Sequence, residues 1–511
     1  MKVGLLRSSM TLLTHHAWRR PVGSVHQGPS NSKGNEAQVA KADLVRALRR
    51  VVEAETKPGA AFPQREVTAM AAANEALRCY FRDTLQQMSD GYGDELLIDG
   101  VLHRRCHDKG EVEYHSLCGS FDVGRATYRP VGERNAKTVV PLDLEAGLVE
   151  QATPALAYSI ALDLSEVNSR RYVMSQAASH RVPPSRSTVE RIGIAIGQEA
   201  KRAAPKIEPY LRRREKVPAD AVAVSAGLDR TTVPYEEERE EGAPPKTRRK
   251  KRTKPYERKA PPPVDVNYKM DYVGTVSLVD EHGEKIESRK YFSTHEDGPD
   301  GILKRMMADI RSALRQRPEL KVGVVQDGAH EMWNLVRSAL KQELGVKEAL
   351  EGIDRYHLFE RLGDIVTLTE DDEAKRKQRL VQWDKALGAD DGAIEQIEQY
   401  IVYRRWAYLG KAREKLDDTL TYIRNNKDRM RYVTLREAGL PLGSGVTEGA
   451  CKSLASRAKR SGQRWHNLGV SSVMELRAIQ QSERLPQFWH LLHRRYTALV
   501  ESADGVMERA A

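Results

Sequence analysis

The sequence predicts an α/β protein: a mixed-sheet domain interrupted by a helical stretch and preceded by a mainly helical region with one β-hairpin. Three observations carry this expectation. Between residues 221 and 357, short β-branched runs occur in the order strand, strand, strand, helix, strand, helix, strand, as in a sheet with antiparallel and parallel members. Residues 358–435 then turn helical and charged. Residues 37–56, 66–89 and 150–200 repeat apolar side chains at spacings of three and four, the period of a half-buried helix.

Composition narrows the function classes. The chain has 511 residues, so two to four domains are expected. Its 40% hydrophobic content is enough for packed domains, and no apolar run approaches the roughly 18 to 20 residues of a spanning helix. The expectation is a cytoplasmic protein with no membrane partner. A net charge of +11 and a pI near 9.3 suit a polyanionic ligand. Four cysteines are too few for a disulfide scaffold and fit a reducing compartment.

In chain order, residues 1–35 contain no acid and read as a disordered basic tail, although "HHAWRRPVG" loosely resembles a transit peptide. Residues 36–145 hold two helices, broken by "KPGAAFP", and a hairpin in "EVEYHSLCGSFDVGRATYRP". Residues 146–215 are helical, with a capping box at Ser187 and Glu190. A Pro-containing turn between short helices there admits a DNA-binding helix-turn-helix or a plain helical bundle. Residues 216–357 form the first part of the sheet domain, with strands expected over 221–229, 270–280, 288–296, 320–328 and 348–357. Inside it lies a loop, 236–263, where nine of residues 246–259 are Lys or Arg, among them Arg248, Arg249, Lys250, Lys251 and Arg252. Such a block cannot bury enough apolar surface to order itself, and reads as a solvated loop or a grip on phosphates. After the helical stretch 358–435, residues 436–490 complete the sheet domain and 491–511 form a C-terminal helix and tail.

Two acids stand where strands are expected to end, Asp229 after "AVAVSAGL" and Asp327 after "KVGVVQ". On neighbouring parallel strands they would face one crevice. Like charges there repel and call for a cation, and Mg²⁺ suits one or two carboxylates with water and phosphate oxygens. Glu448 opens the helix of "PLGSGVTEGACKSLASRAKRSGQRW", where an acid in the first turn is favoured by the helix dipole in any case. Lys452 and Lys459 share its stripe, Arg457, Arg460 and Arg464 flank it, and Trp465 is placed to stack on a base or to pack at the helix end. One acid for metal followed by cations for a phosphate backbone is a coherent division of labour. Nearer the N-terminus, His103 with Cys106 and His115 with Cys118 make two His-x-x-Cys pairs with the spacing of zinc ligands.

These residues resemble a known family. "GSGVTEGACKSLASRAKRSGQRW" followed by "LRAIQQSERLPQFW" resembles the third signature of DDE transposases of bacterial insertion sequences, the ISKra group in particular. "VGVVQDGAHEMW", "IDRYHLFERL" and "AGLDRTTVP" resemble its second-acid strand, its Asp-x-Tyr-His segment and its first-acid strand. "SLCGSFDVGRATYRPVG" followed by "PLDLEAGL" resembles its N-terminal hairpin region, so the likeness runs from about 90 to 490. It implies an RNase H-like catalytic fold with a helical insertion. Asp229, Asp327 and Glu448 would hold two Mg²⁺ ions, with Mn²⁺ able to substitute. Asp354 and His357 match the Asp-x-Tyr-His segment and are read as supports of the metal ligands. The implied activity is strand cleavage and strand transfer on double-stranded DNA, at transposon ends and target, by a homo-oligomer. A nuclease that cuts without joining and a catalytically inactive DNA-binding descendant are the alternatives. Two departures stand out: Arg230 occupies a position that is often glycine in the family, and "PVGERN" stands where relatives tend to carry a Cys-x-x-Cys pair.

Overall fold

The computed structural model describes residues 45–133, 135–239, 264–327, 330–346, 349–460 and 462–503. The basic tail and the basic loop with Arg248, Arg249, Lys250, Lys251 and Arg252 lie outside the described residues. The chain divides into two units, 1–76 and 77–511. The described part of the first holds a helix over 45–55 and the opening turns of a helix that runs Phe62–Asp90.

The second unit is mixed α/β with two sheets. The first sheet contains β1 (Glu95–Ile98), β2 (Val101–Ser116) and β3 (Gly119–Pro130). Asp99 and Gly100, both at positive φ, join β1 to β2, as a tight hairpin turn whose twist matches its strands requires. Helices Pro154–Glu166, Ser169–Ala178 and Arg186–Arg214 follow. Their apolar faces close one core with the later helices Asn467–Gln481 and Leu485–His493, the packing of a helical bundle. The expected capping box is displaced. Ser185, not Ser187, caps the third of these helices by accepting the Thr188 N–H, because the chain turns in just after the Pro183–Pro184 pair. Glu190 instead accepts the Ser169 hydroxyl.

The second sheet is built from β4 (Ala223–Glu238), β5 (Val264–Val279), β6 (Lys285–Ser293), β7 (Lys321–Gln326) and β8 (Leu350–Ile353). Its order is β6-β5-β4-β7-β8; β6, β5 and β4 are antiparallel, while β7 and β8 run parallel to β4. Helices Asp300–Gln316 and His330–Ala339 form the crossovers of the parallel part. Two expectations are corrected. Strand β4 does not end at Asp229 but continues nine residues as a ribbon with β5. Pro234 is tolerated there because β4 meets β7 only over residues 223–226, which leaves its other edge without a strand among the described residues. The fifth strand is also shorter than 348–357, since Asp354 caps the next helix.

Helices Arg355–Thr369, Glu373–Ala389, Ala393–Arg404, Gly410–Asn426 and Tyr432–Glu437 make up the helical stretch, and their buried Leu and Ile side chains share one core with the sheet. Helix Gly445–Ala458 packs on the sheet through Ala450, Leu454 and Ala458 against Val233, Val273 and Phe292. The C-terminus differs from expectation: the helix is Leu485–His493, and β9 (Val500–Ser502) then returns to pair antiparallel with β1. Among the described residues no helix is long and apolar enough to cross a membrane.

Candidate functional site

Register places the acids. Ala226 of β4 lies opposite Val324 of β7, so three residues on, Asp229 is level with Asp327. Gln326 lies opposite Ile353 of β8, which puts Asp354 level with Asp327 as well. Paired strands stand about 4.8 Å apart, but the β4–β7 pairing ends at Ala226, so the register puts Asp229, Asp327 and Asp354 at the same end of the sheet without fixing Asp229 at strand spacing from Asp327.

Glu448 reaches this row because its helix lies directly on the sheet. An added Cβ at Gly227 would stand 2.1 Å from Thr447 Oγ1 and 3.2 Å from the Val325 carbonyl oxygen, so only glycine permits the approach. The hydroxyls of Thr275 and Thr447 meet at 2.7 Å beside it. One turn further along the helix, the Cys451 thiol donates to Asp229 Oδ2 at 3.3 Å, and the Arg230 N–H donates to Oδ1 at 2.6 Å. Burial pushes the Asp229 carboxyl above the usual carboxylate range, the Asp327 and Glu448 charges push the same way, and those two hydrogen bonds offset part of the rise. Asp229 therefore senses the charges of both other acids. Burial, and then the Asp229 charge, raise the Cys451 thiol well above its ordinary value.

Asp354 and His357 brace Glu448 from the neighbouring helix. Asp354 is buried, caps its helix through the His357 N–H at 3.1 Å and accepts the Ser444 hydroxyl at 2.7 Å and the Ser444 N–H. Burial opposes the charge on Asp354, but these bonds outweigh it and hold its carboxyl below the usual range. The Ser444 hydroxyl oxygen also lies 3.0 Å from Glu448 Oε1, so its one proton is shared between the Asp354 and Glu448 carboxylates, and His357 Nε2 lies 3.2 Å from the same Glu448 oxygen. His357 Nδ1 lies 2.9 Å from Glu360, so a carboxylate faces each ring nitrogen. Burial lowers the His357 pKa, but the Glu360 bond and the charges of Asp354, Glu448 and Glu360 raise it on balance, which favours the imidazolium. Lys452 Nζ stands 3.3 Å from Glu448 Oε2.

The expected cation stripe divides. Lys452, Lys459 and Arg464 are exposed. Arg457 is buried, donates to the Leu164 carbonyl at 3.0 Å, and cannot meet a nucleic acid. Burial and the charges of Arg460 and Arg477 lower its pKa to about 10. Arg460 is exposed but bonds the Glu166 carbonyl at 2.8 Å. Arg477 takes the Ser165 carbonyl at 2.7 Å. Three guanidiniums thus satisfy the last carbonyls of helix Pro154–Glu166, where the helix dipole favours cations. Trp465 is half-buried, donates to the Ala458 carbonyl at 3.0 Å and lies under Arg457; it packs at the helix end and is not a base platform.

The zinc expectation is overturned by the length of β2. His103 and His115 lie twelve residues apart on one strand, about 40 Å at roughly 3.3 Å per residue, so the two His-x-x-Cys pairs cannot share an ion. His103 Nδ1 faces the Val101 carbonyl, His115 Nδ1 faces Ser120, Cys118 is buried in the turn, and Cys106 bonds the Arg104 carbonyl. Among the described residues no group of three or more His, Cys, Asp or Glu side chains is gathered as a ready-made metal cluster. The Arg230 guanidinium pairs with Glu331 at 2.9 Å. Sequence reasoning missed Gly227, Ser444 and Cys451; a glycine inside a strand run, and residues four before and three after Glu448, were the available signals. No protein-family model and no curated protein matches this chain.

Proposed function

We propose that the chain is a DDE-type transposase with an RNase H-like catalytic domain, cutting and joining DNA at insertion-sequence ends. The observation that supports the reading is that Asp229 lies within electrostatic reach of both Asp327 and Glu448, acids from distant parts of the chain, at one end of the parallel strands, although the three are not gathered as a ready-made metal cluster. The sheet order, with an antiparallel β6-β5-β4 half and a parallel β4-β7-β8 half, is the arrangement such a domain needs.

All the acidic ligands are carboxylate oxygens, a hard donor set that fits Mg²⁺ or Mn²⁺. Asp229, Asp327 and Glu448 would hold the ions. When bound, two such ions supply charge neutralisation at the scissile phosphate and activate the attacking oxygen. The protein's own part is positional. Gly227 seats the helix, Asp354 fixes Ser444, and Ser444 with His357 aims the Glu448 carboxylate. Exposed Lys452, Lys459 and Arg464 supply cations for the phosphate backbone beyond the acids.

The test is strand cleavage and joining on labelled DNA carrying the sequences that flank the coding region, with Mg²⁺. Asp229→Ala, Asp327→Ala and Glu448→Ala should each lower the rate by about 10³-fold or more, the order expected when several kcal/mol of charge stabilisation is lost. Any one of them cutting at the wild-type rate refutes its assignment, and cleavage without joining in the wild type reduces the reading to a nuclease.

A further inference from the structure

The turn that ends helix Ala393–Arg404 carries an apolar surface that no apolar side chain covers among the described residues. Tyr403, Trp406 and Leu409 are 80%, 73% and 91% exposed, within seven residues of one another. The turn itself is held firmly. Tyr408 OH donates to the Leu368 carbonyl at 2.8 Å, and Arg404 donates to the Thr369 carbonyl, which ties the turn to the end of helix Arg355–Thr369. The Arg405 and Arg413 guanidiniums lie 5.3 and 5.0 Å from the Trp406 ring centre. Asp417 pins both, at 3.4 and 2.9 Å. Three large apolar side chains left exposed side by side, flanked by two cations fixed in place, mark a candidate binding surface.

Its chemistry selects the partner. Residues 403–415 contain five basic side chains (Arg404, Arg405, Lys411, Arg413, Lys415) and one acid (Glu414). Aromatic faces interleaved with cations suit a base stacked on the ring and a phosphate beside it. Position agrees. His357, which touches Glu448, and Leu368, which anchors the turn, are eleven residues apart on one helix, about 17 Å at roughly 1.5 Å per residue. That distance spans about five stacked nucleotides at roughly 3.4 Å each.

We propose that Trp406 and Tyr403 form a stacking platform for unpaired DNA bases, about five nucleotides from the phosphate at the acids. The proposal rests on the reading of the chain as a DNA-processing enzyme.

The experiment measures fluorescence anisotropy of the full chain with labelled oligo-dT of about 16 nucleotides and with a blunt duplex of equal length. The Tyr403→Ala/Trp406→Ala variant should bind oligo-dT about ten-fold or more weakly, with an unchanged slope of affinity against salt and a much smaller effect on the duplex. Trp406→Phe should regain most of the loss, and both variants should keep the wild-type melting temperature because the replaced side chains are exposed. Unchanged oligo-dT binding overturns the platform. So does dissociation of a wild-type oligomer in sedimentation with oligo-dT affinity per chain intact, which would make the patch a contact between copies. Asp327→Asn separates the two claims: it should stop cleavage without altering oligo-dT affinity. Trp406-dependent binding in a wild type that cuts no DNA would sink the transposase reading and leave the platform standing.

Discussion

Two withdrawn aspartates in this molecule titrate in opposite directions. Asp309 is buried, Asp229 half-buried, so burial by itself would push Asp309 up the harder. Yet Asp309 is held below the usual carboxylate range: burial opposes its charge, but the Arg484 and Arg212 charges and the Tyr291 and Arg212 bonds outweigh it. Asp229 is pushed above that range. The first belongs to a network in which Arg212 reaches Asp309 and Glu208 at 2.5 and 2.8 Å, Arg305 reaches Glu208 and Glu475 at 2.6 and 2.8 Å, and Arg484 reaches Glu215 and Asp309 at 2.7 and 3.2 Å. The second belongs to a cluster of like charges. A charge network with a partner for each member joins three helices; a set of acids drawn together against their own repulsion is an arrangement that folding alone does not favour. The contrast supports placing the proposed site at the acids.

The largest effect should come from breaking the paired network. Arg305→Met removes the guanidinium that joins helices Arg186–Arg214, Asp300–Gln316 and Asn467–Gln481 and leaves Glu475 buried. Chemical denaturation should show a loss of about 3–5 kcal/mol, and Arg305→Met/Glu475→Leu should recover much of it, because an apolar pair costs less than one stranded charge. Cleavage by the folded fraction should change little. The same network gives an acid limb to stability. Asp309 has a folded pKa below its unfolded value of about 3.9, so its contribution is present above that value and is lost as pH falls through the folded one. Asp309→Asn should flatten the decline of stability below about pH 4.

Gly227→Ala should have a smaller effect on stability and a larger one on activity. The new methyl group must move Thr447 or the helix that carries it, at a cost of about 1–3 kcal/mol. The same shift withdraws Glu448, and a displacement of about 1 Å at a reacting centre costs about 10²-fold in rate. Denaturation and cleavage assays on one preparation separate the two losses. A variant that cuts at the wild-type rate would mean that the helix does not need this contact to place its acid.

How far the sequence foretold this site depends on the range of each interaction. Asp229, Asp327 and Glu448 stood out because strand patterns and a helix start are local signals. The extension of β4 was hidden, since "RTTVPYEEE" has a proline and a run of acids, and only its pairing with Val264–Tyr272 makes it a strand. Arg457 and Arg460 looked like phosphate ligands because a helical stripe does not say what lies across it; the carbonyls that Arg457 and Arg460 meet are 293 and 294 residues away. Gly227 was visible as a residue but not as a contact. Cys451 falls one turn from Glu448, yet its bond to Asp229 exists only once helix and sheet have met.

The smallest effect tests the like-charge side of the comparison. Asp229→Asn keeps an acceptor for the Arg230 N–H and removes a charge that burial, Asp327 and Glu448 all disfavour. The variant should therefore melt slightly above the wild type at neutral pH without divalent ions, the reverse of Asp309→Asn. Mg²⁺ should then raise the wild-type midpoint more than that of the variant, because an ion that binds the folded state stabilises it in proportion to its affinity. Were Asp229→Asn to melt below the wild type, or to gain as much from Mg²⁺, the three acids would not be pressed together around a place for a cation, and the opposite titration of the two aspartates would carry no functional meaning.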